Sequence, residues 1–120
     1  MKKQVKILGT TYRVEVHKYQ DDPLFEDEGI IGYCDDNRKL LVACDLRTHP
    51  GYGDAPDESI TANLRETFRH ELVHAFLAES GLNACAVTYA GPWTSNEEMV
   101  DWIAVQGPKL AQAWTELGVG

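Results

Sequence analysis

The motif His70-Glu71-Leu72-Val73-His74 constrains this chain more than any other stretch. Side chains four residues apart lie on one face of an α-helix, so both imidazoles can reach one metal ion. Glu71 lies beside them, where it can act as a general base toward a water molecule. We therefore predict one zinc ion per chain, with His70 and His74 as ligands and Glu71 as the catalytic residue.

The residues around the motif predict a buried helix. Residues 72–78 are apolar except for His74, so this helix is covered on most of its circumference. Histidines and a carboxylate in such a segment need partners, because burying them unpaired is costly. A zinc ion would supply one. The alternative is that the motif is accidental, in a metal-free structural or regulatory protein.

A third metal ligand must come from elsewhere, because catalytic zinc sites use three protein ligands. No histidine follows His74, whereas Glu97 and Asp101 are spaced to share one helix face. We predict Glu97 as the third ligand and Asp101 as the acceptor of a hydrogen bond from a zinc-bound imidazole. Glu98 is the alternative ligand.

Capping does not decide between the two neighbouring glutamates. Ser95-x-x-Glu98 fits a capping box, which would give Glu98 a structural role, but Thr94-x-x-Glu97 fits one as well. Helical facing favours Glu97.

Length and charge bound the class of protein. The chain has 120 residues, a size that fits one domain spanning 1–120. Its net charge of −8 disfavours nucleic acid or an anionic membrane as a direct partner. We expect a cytoplasmic protein, since no secretory signal or transmembrane run is visible. The odd count of Cys34, Cys44 and Cys85, without close pairs, predicts reduced thiols rather than a disulfide framework.

The pattern predicts an α+β fold in which a small, mainly antiparallel twisted sheet precedes three helices. Alternation predicts strands near 4–8, 12–16 and 30–34, with Gly9-Thr10 as the first turn and His17 exposed to solvent. The apolar run 40–44 predicts a strand covered on both faces. Because it precedes the motif helix, we expect this strand to form the sheet edge beside the site.

Helix signals follow the last strand. A first helix should begin near 57–59, with one of these residues as N-cap, and stop at Gly81. A second should run from about 95 to 106, and Pro108 should begin a third.

The two motifs together resemble a known pattern. His70-Glu71-x-x-His74 followed by Asn96-Glu97-x-x-x-Asp101 resembles the gluzincin pattern of thermolysin-type metallopeptidases. The small size, the preceding strands and the run 97–104 are more similar to the ImmA/IrrE-type minimal metallopeptidases, often encoded by phages and mobile elements. The resemblance extends over roughly residues 32–105. It implies a minimal zincin-like domain whose sheet edge pairs with extended substrate.

The chain also departs from that group. Val73 stands where the group often has glycine, and no later histidine is present to stabilise an oxyanion. It also lacks an obvious helix before its first strand. Tyr89 is the candidate for the oxyanion role.

The predicted function is a zinc-dependent endopeptidase acting on a protein or peptide. The alternative is a non-catalytic protein-interaction module of the same fold whose metal is structural. The presence of Glu71 argues against that alternative, because a structural zinc needs no base.

Overall fold

The computed structural model describes residues 2–85 and 93–118. Its strands are β1 (Gln4–Ile7), β2 (Thr10–Lys18), β3 (Gly32–Asp35) and β4 (Leu40–Asp45). Its helices are α1 (Leu24–Asp27), α2 (Asp57–Glu79), α3 (Leu82–Cys85) and α4 (Glu97–Leu117). The α+β class predicted from the sequence is confirmed.

The first two strands form a tight hairpin. The turn residues are Leu8 and Gly9, one position earlier than predicted, and both have positive φ angles of 50° and 89°. This pair of left-handed residues matches the right-handed twist of the flanking strands. Gly9 adopts its angle without steric cost.

The sheet is mixed, with the strand order β1-β2-β4-β3. Strand β4 is parallel to β2 and antiparallel to β3. The prediction that residues 40–44 form the sheet edge is therefore wrong, since this strand is paired on both sides. Among the described residues, the edge next to α2 that has no further strand paired to it belongs to β3. The chain reaches it from β2 through a loop and then returns to the sheet interior as β4.

Both faces of the sheet are covered, as the apolar run in β4 predicted. Leu41 and Ala43 face α2, where they pack with Phe68 and Ala75. Alternate residues of the same strand point to the other face. There Leu40, Val42 and Cys44 pack with Phe25 and Leu46.

Helix α2 carries the histidine motif across one face of the sheet. It begins at Asp57, and Pro56 occupies the N-cap position without a side-chain hydrogen bond, so none of residues 57–59 is the cap. Asp57 and Glu58 instead place negative charge in the first turn, which favours the helix dipole. The helix ends as predicted, with Gly81 at a φ of 84°.

Helix α4 is a single helix that includes Pro108. The prediction that Gly107-Pro108 separates two helices is wrong. Proline at this position removes one backbone donor, the one that would reach the carbonyl of Ala104. Val100 and Ala104, in the turns before Pro108, are buried where α4 contacts α2, whereas the described side chains after Pro108 are mostly exposed. Among the described residues, no helix is long and apolar enough to cross a membrane.

The strand alternation predicted that the side chain of His17 is exposed to solvent. In the structure it is instead partly buried and paired with two carboxylates. Its Nδ1 lies 2.7 Å from Asp22 and its Nε2 lies 2.9 Å from Glu15. Asp22 also accepts a 2.6 Å hydrogen bond from the hydroxyl of Tyr33. Burial opposes the charged imidazolium, but the two carboxylates prevail and raise the pKa of His17. This network ties the loop after β2 to edge strand β3.

Candidate metal centre

The two histidines of the motif point to a common centre. His70 and His74 project from consecutive turns of α2, and their Nε2 atoms are 3.1 Å apart. The rings meet edge to face, with centroids 4.8 Å apart. The i, i+4 spacing therefore produces the geometry that the sequence predicted.

Glu97 closes the triangle from the first turn of α4. Its Oε2 lies 2.9 Å from Nε2 of His70, and its Oε1 lies 3.2 Å from Nε2 of His74. Two donor atoms on a tetrahedral zinc, each 2.0–2.1 Å from the metal, stand about 3.4 Å apart. The two imidazole nitrogens, 3.1 Å apart, are close to this value, and each has a different oxygen of the Glu97 carboxylate within 3.2 Å. Two imidazoles and one carboxylate are also a ligand set of catalytic zinc sites, so these residues fit the predicted ion.

Asp101 lies behind His70, one turn after Glu97 on α4. Its Oδ1 is 2.5 Å from Nδ1 of His70. When Nδ1 carries the proton, its N–H donates to this carboxylate and the lone pair of Nε2 points at the centre. The structure therefore places Asp101 where the sequence analysis predicted an acceptor.

Glu98 points elsewhere. Its side chain is exposed and makes no hydrogen bond or ion pair with the described part of the chain. Neither predicted capping box forms, because the N-cap of α4 is Asn96, whose Oδ1 accepts from the backbone N–H of Met99 at 2.8 Å. Thr94 is buried and donates to Asn83 instead. The geometry thus favours Glu97 over Glu98.

Glu71 is the most buried polar group of the centre, with 7% of its surface exposed. Its Oε2 lies 4.0 Å from Nε2 of His70. The imidazole nitrogens of His70 and His74 and a carboxylate oxygen of Glu71 all lie within 4.8 Å of one another, so Glu71 is close enough to act on a water at the centre. Burial raises the pKa of Glu71 to about 7, with His70 opposing the shift and Glu97 and Asp101 adding to it. A carboxylate with this pKa suits general-base chemistry near neutral pH.

The centre opens into a cleft on both sides. Two cavities, of about 370 and 480 Å³, share the lining residues His70 and Glu71. They also share Ile30 and Gly32, so the wall opposite α2 is edge strand β3 and the residues before it. A cleft that runs along a free strand edge can hold an extended chain.

Two cleft residues escaped the sequence analysis. Gly32 lets β3 approach α2, because a Cβ built there would lie 2.4 Å from Cγ2 of Thr67 and 3.4 Å from Oε2 of Glu71. Tyr52 lines the cleft from the loop before α2, held by ring contact with His49. A glycine in a strand signals close backbone approach, so the first could have been suspected.

Comparison with protein-family models, with curated proteins and with solved structures finds no significant match. The case for a function therefore rests on the site itself. Tyr89, the predicted oxyanion stabiliser, lies outside the described residues.

Proposed function

We propose that this protein is a zinc-dependent endopeptidase related to the ImmA/IrrE-type minimal metallopeptidases. The observation that carries the proposal is the convergence of His70, His74 and Glu97 beside the buried carboxylate of Glu71. The imidazole nitrogens lie 3.1 Å apart and each has one oxygen of the Glu97 carboxylate within 3.2 Å, an arrangement that suits one shared ion. A purely structural site would not require a base at this place.

The metal supplies one part of the chemistry. When bound, zinc polarises a carbonyl group and lowers the pKa of water. Two histidines and a carboxylate also suit iron, manganese or nickel, so the ion itself must be measured.

Glu71 supplies the proton transfer. Its carboxylate takes a proton from the attacking water as the C–O bond to the scissile carbonyl carbon forms, and it then donates that proton to the leaving amine as the peptide C–N bond breaks. Burial against Gly32 limits the access of bulk solvent and holds the carboxylate in one place. Asp101 acts indirectly by fixing the ring of His70.

The edge of β3 supplies the binding surface for an extended peptide. The backbone N–H of Cys44 donates to the carbonyl of Ile31 at 2.8 Å. Bonded pairs alternate along an antiparallel ladder, so the backbone groups of Gly32 and Cys34 face away from β4. Both residues line the cleft. A substrate strand that adds here would pass directly over Glu71.

The charge of the cleft restricts its substrates. Glu66 and Asp36 line opposite sides of the centre, and the described lining contains no lysine or arginine. We therefore expect peptides that are neutral or positively charged near the scissile bond, because carboxylates would repel acidic ones.

A peptide-library digest tests the proposal. Zinc-loaded wild type should cleave a subset of peptides, and Glu71→Gln should keep zinc while losing hydrolysis. Equal inertness of both proteins on the whole library would favour the interaction-module alternative. Hydrogen exchange of zinc-loaded Glu71→Gln with a cleavable peptide then tests the binding mode. Slower exchange at Gly32 and Cys34 is expected, whereas protection confined to β1 would contradict the β3 edge.

A further inference from the structure

A second surface, unconnected to the metal centre, lies in the groove between α2 and α4. The residues that line it recur every three to four positions along α2, and those on α4 recur in the same way, so each helix contributes one face. The lining residues are Arg65, Phe68, Arg69, Leu72, Val73, Ile103, Ala104, Gly107 and Pro108. The cavity has a volume of about 420 Å³ and shares no lining residue with the cleft. We call this surface the α2–α4 groove.

The floor of the groove is apolar and its rim is cationic. Phe68 and Ala104 are almost fully buried at its base. Arg65 and Arg69 are exposed, stand one helical turn apart and are the only charged side chains among the described residues of the lining. This is an unusual place for positive charge in a chain whose net charge is −8.

The two groove arginines differ from the others in the protein. Arg13, Arg38 and Arg47 each form an ion pair with a carboxylate. Within residues 2–85 and 93–118, Arg65 and Arg69 form none. Three arginines thus already have local acidic partners, and the two without one both border the same apolar surface.

We propose that the α2–α4 groove binds an amphipathic helix of a partner protein that carries carboxylates one turn apart. A third helix can lay an apolar stripe into the groove between two packed helices. Aspartate or glutamate residues at i and i+4 beside that stripe then meet Arg65 and Arg69, whose guanidinium groups favour paired carboxylate contacts. Charge complementarity decides in favour of an acidic partner.

If a second copy of this chain or a lipid occupied the groove, the experiments would give different results. A second copy of this chain would make the protein dimeric, and a fatty-acid or lipid surface would make binding independent of peptide sequence. Light scattering of the protein alone and sedimentation with anionic vesicles of phosphatidylglycerol distinguish these cases. A monomer that does not bind the vesicles is expected, and either contrary result would overturn the proposal.

The direct test is selection from a displayed library of helical peptides of about 18 residues, or five turns. Sequences enriched on wild type should combine an apolar stripe with carboxylates at i and i+4. The best peptide, labelled for fluorescence anisotropy, should bind Arg65→Glu/Arg69→Glu on the order of tenfold more weakly. Amide chemical-shift changes should map to the α2–α4 groove.

Arg13→Glu is the matched control, since it reverses an exposed arginine on β2 that is not part of the groove lining. It should leave the affinity unchanged. Thermal unfolding shows whether the double variant is folded, as expected for two exposed positions. Enrichment of no sequence, enrichment of basic peptides, or equal weakening by Arg13→Glu would overturn the proposal.

Discussion

Oδ1 of Asp101 lies 2.5 Å from Nδ1 of His70, on the ring nitrogen that does not face His74. The contact orients the imidazole and favours the tautomer with the proton on Nδ1, which leaves Nε2 available to a metal. This contact joins the two helices that build the centre and makes the metal site depend on the register of α4 against α2.

Asp101→Asn should weaken zinc affinity by roughly ten- to a hundredfold, as changes behind a metal-bound histidine typically do. The amide keeps the shape of the side chain but loses the charge that favours a proton on Nδ1. Competition with a chromogenic zinc chelator measures the change. Glu98→Gln serves as the control and should leave affinity unaltered. An Asp101→Asn protein with wild-type affinity would mean that the contact does not orient His70.

Asn96→Ala should destabilise the protein by about 1 kcal/mol, the usual cost of losing an N-cap. The side chain of Asn96, the residue before Glu97, accepts a hydrogen bond from the backbone N–H of Met99. Urea unfolding measures this cost, with the Ser95→Ala variant measured in parallel as the control. Ser95→Ala should be close to neutral, and a larger cost for Ser95→Ala would restore the capping box that the sequence suggested.

Gly32→Ala should destabilise the protein by about 1–3 kcal/mol, the usual range for inserting a methyl group into a packed site. The new Cβ would lie 2.4 Å from Cγ2 of Thr67 and 3.0 Å from the carbonyl of Val42. Thr67→Ser removes the first clash, so the double variant should recover part of the loss. Unfolding of both single variants and the double variant forms a double-mutant cycle. Simple additivity would show that this contact does not limit the approach of β3.

Glu79 should make stability fall in acid. Its carboxylate accepts from Lys39 at 2.6 Å, from Tyr12 at 2.7 Å and from Thr10 at 3.0 Å. These hydrogen bonds, that of Lys39 first, lower the pKa of Glu79 to about 2. A carboxyl that is more acidic in the folded state stabilises the fold above its ordinary pKa, near 4.5, and loses that contribution as the pH falls toward 2.

The corresponding experiment compares melting temperatures of wild type and Glu79→Gln across this range. Wild type should melt higher at neutral pH, and the two curves should converge near pH 2. A constant difference at all pH values would show that the charge of Glu79 is not what stabilises the contact between α2 and the sheet.

The arrangement of the candidate metal centre could be predicted in large part because its information is local. His70 and His74 follow from helical spacing alone, and Glu97 and Asp101 follow from the same rule applied to the next long helix. Their convergence in space depends on how α4 packs against α2, which spacing does not determine. The structure brings all four together as the sequence analysis had predicted.

The order of the strands could not be predicted in the same way. An apolar run shows that β4 is covered on both faces, but it does not show how many strands pair with it. Residues 40–44 fit an edge next to the site as well as a sheet interior. Pro108 was also misinterpreted, since local propensity favoured a break and the structure instead accommodates the proline inside α4 with the loss of one backbone hydrogen bond.

The most direct test of the account is the zinc content of untagged protein, measured by mass spectrometry under native conditions after loading and buffer exchange. Wild type and Glu71→Gln should each retain one zinc ion per chain, while His74→Ala should retain none and Glu97→Ala should lose most of it. Wild type that holds no zinc after refolding with the metal would contradict the account. Loss of zinc from Glu98→Ala but not from Glu97→Ala would show that the third ligand has been assigned to the wrong residue.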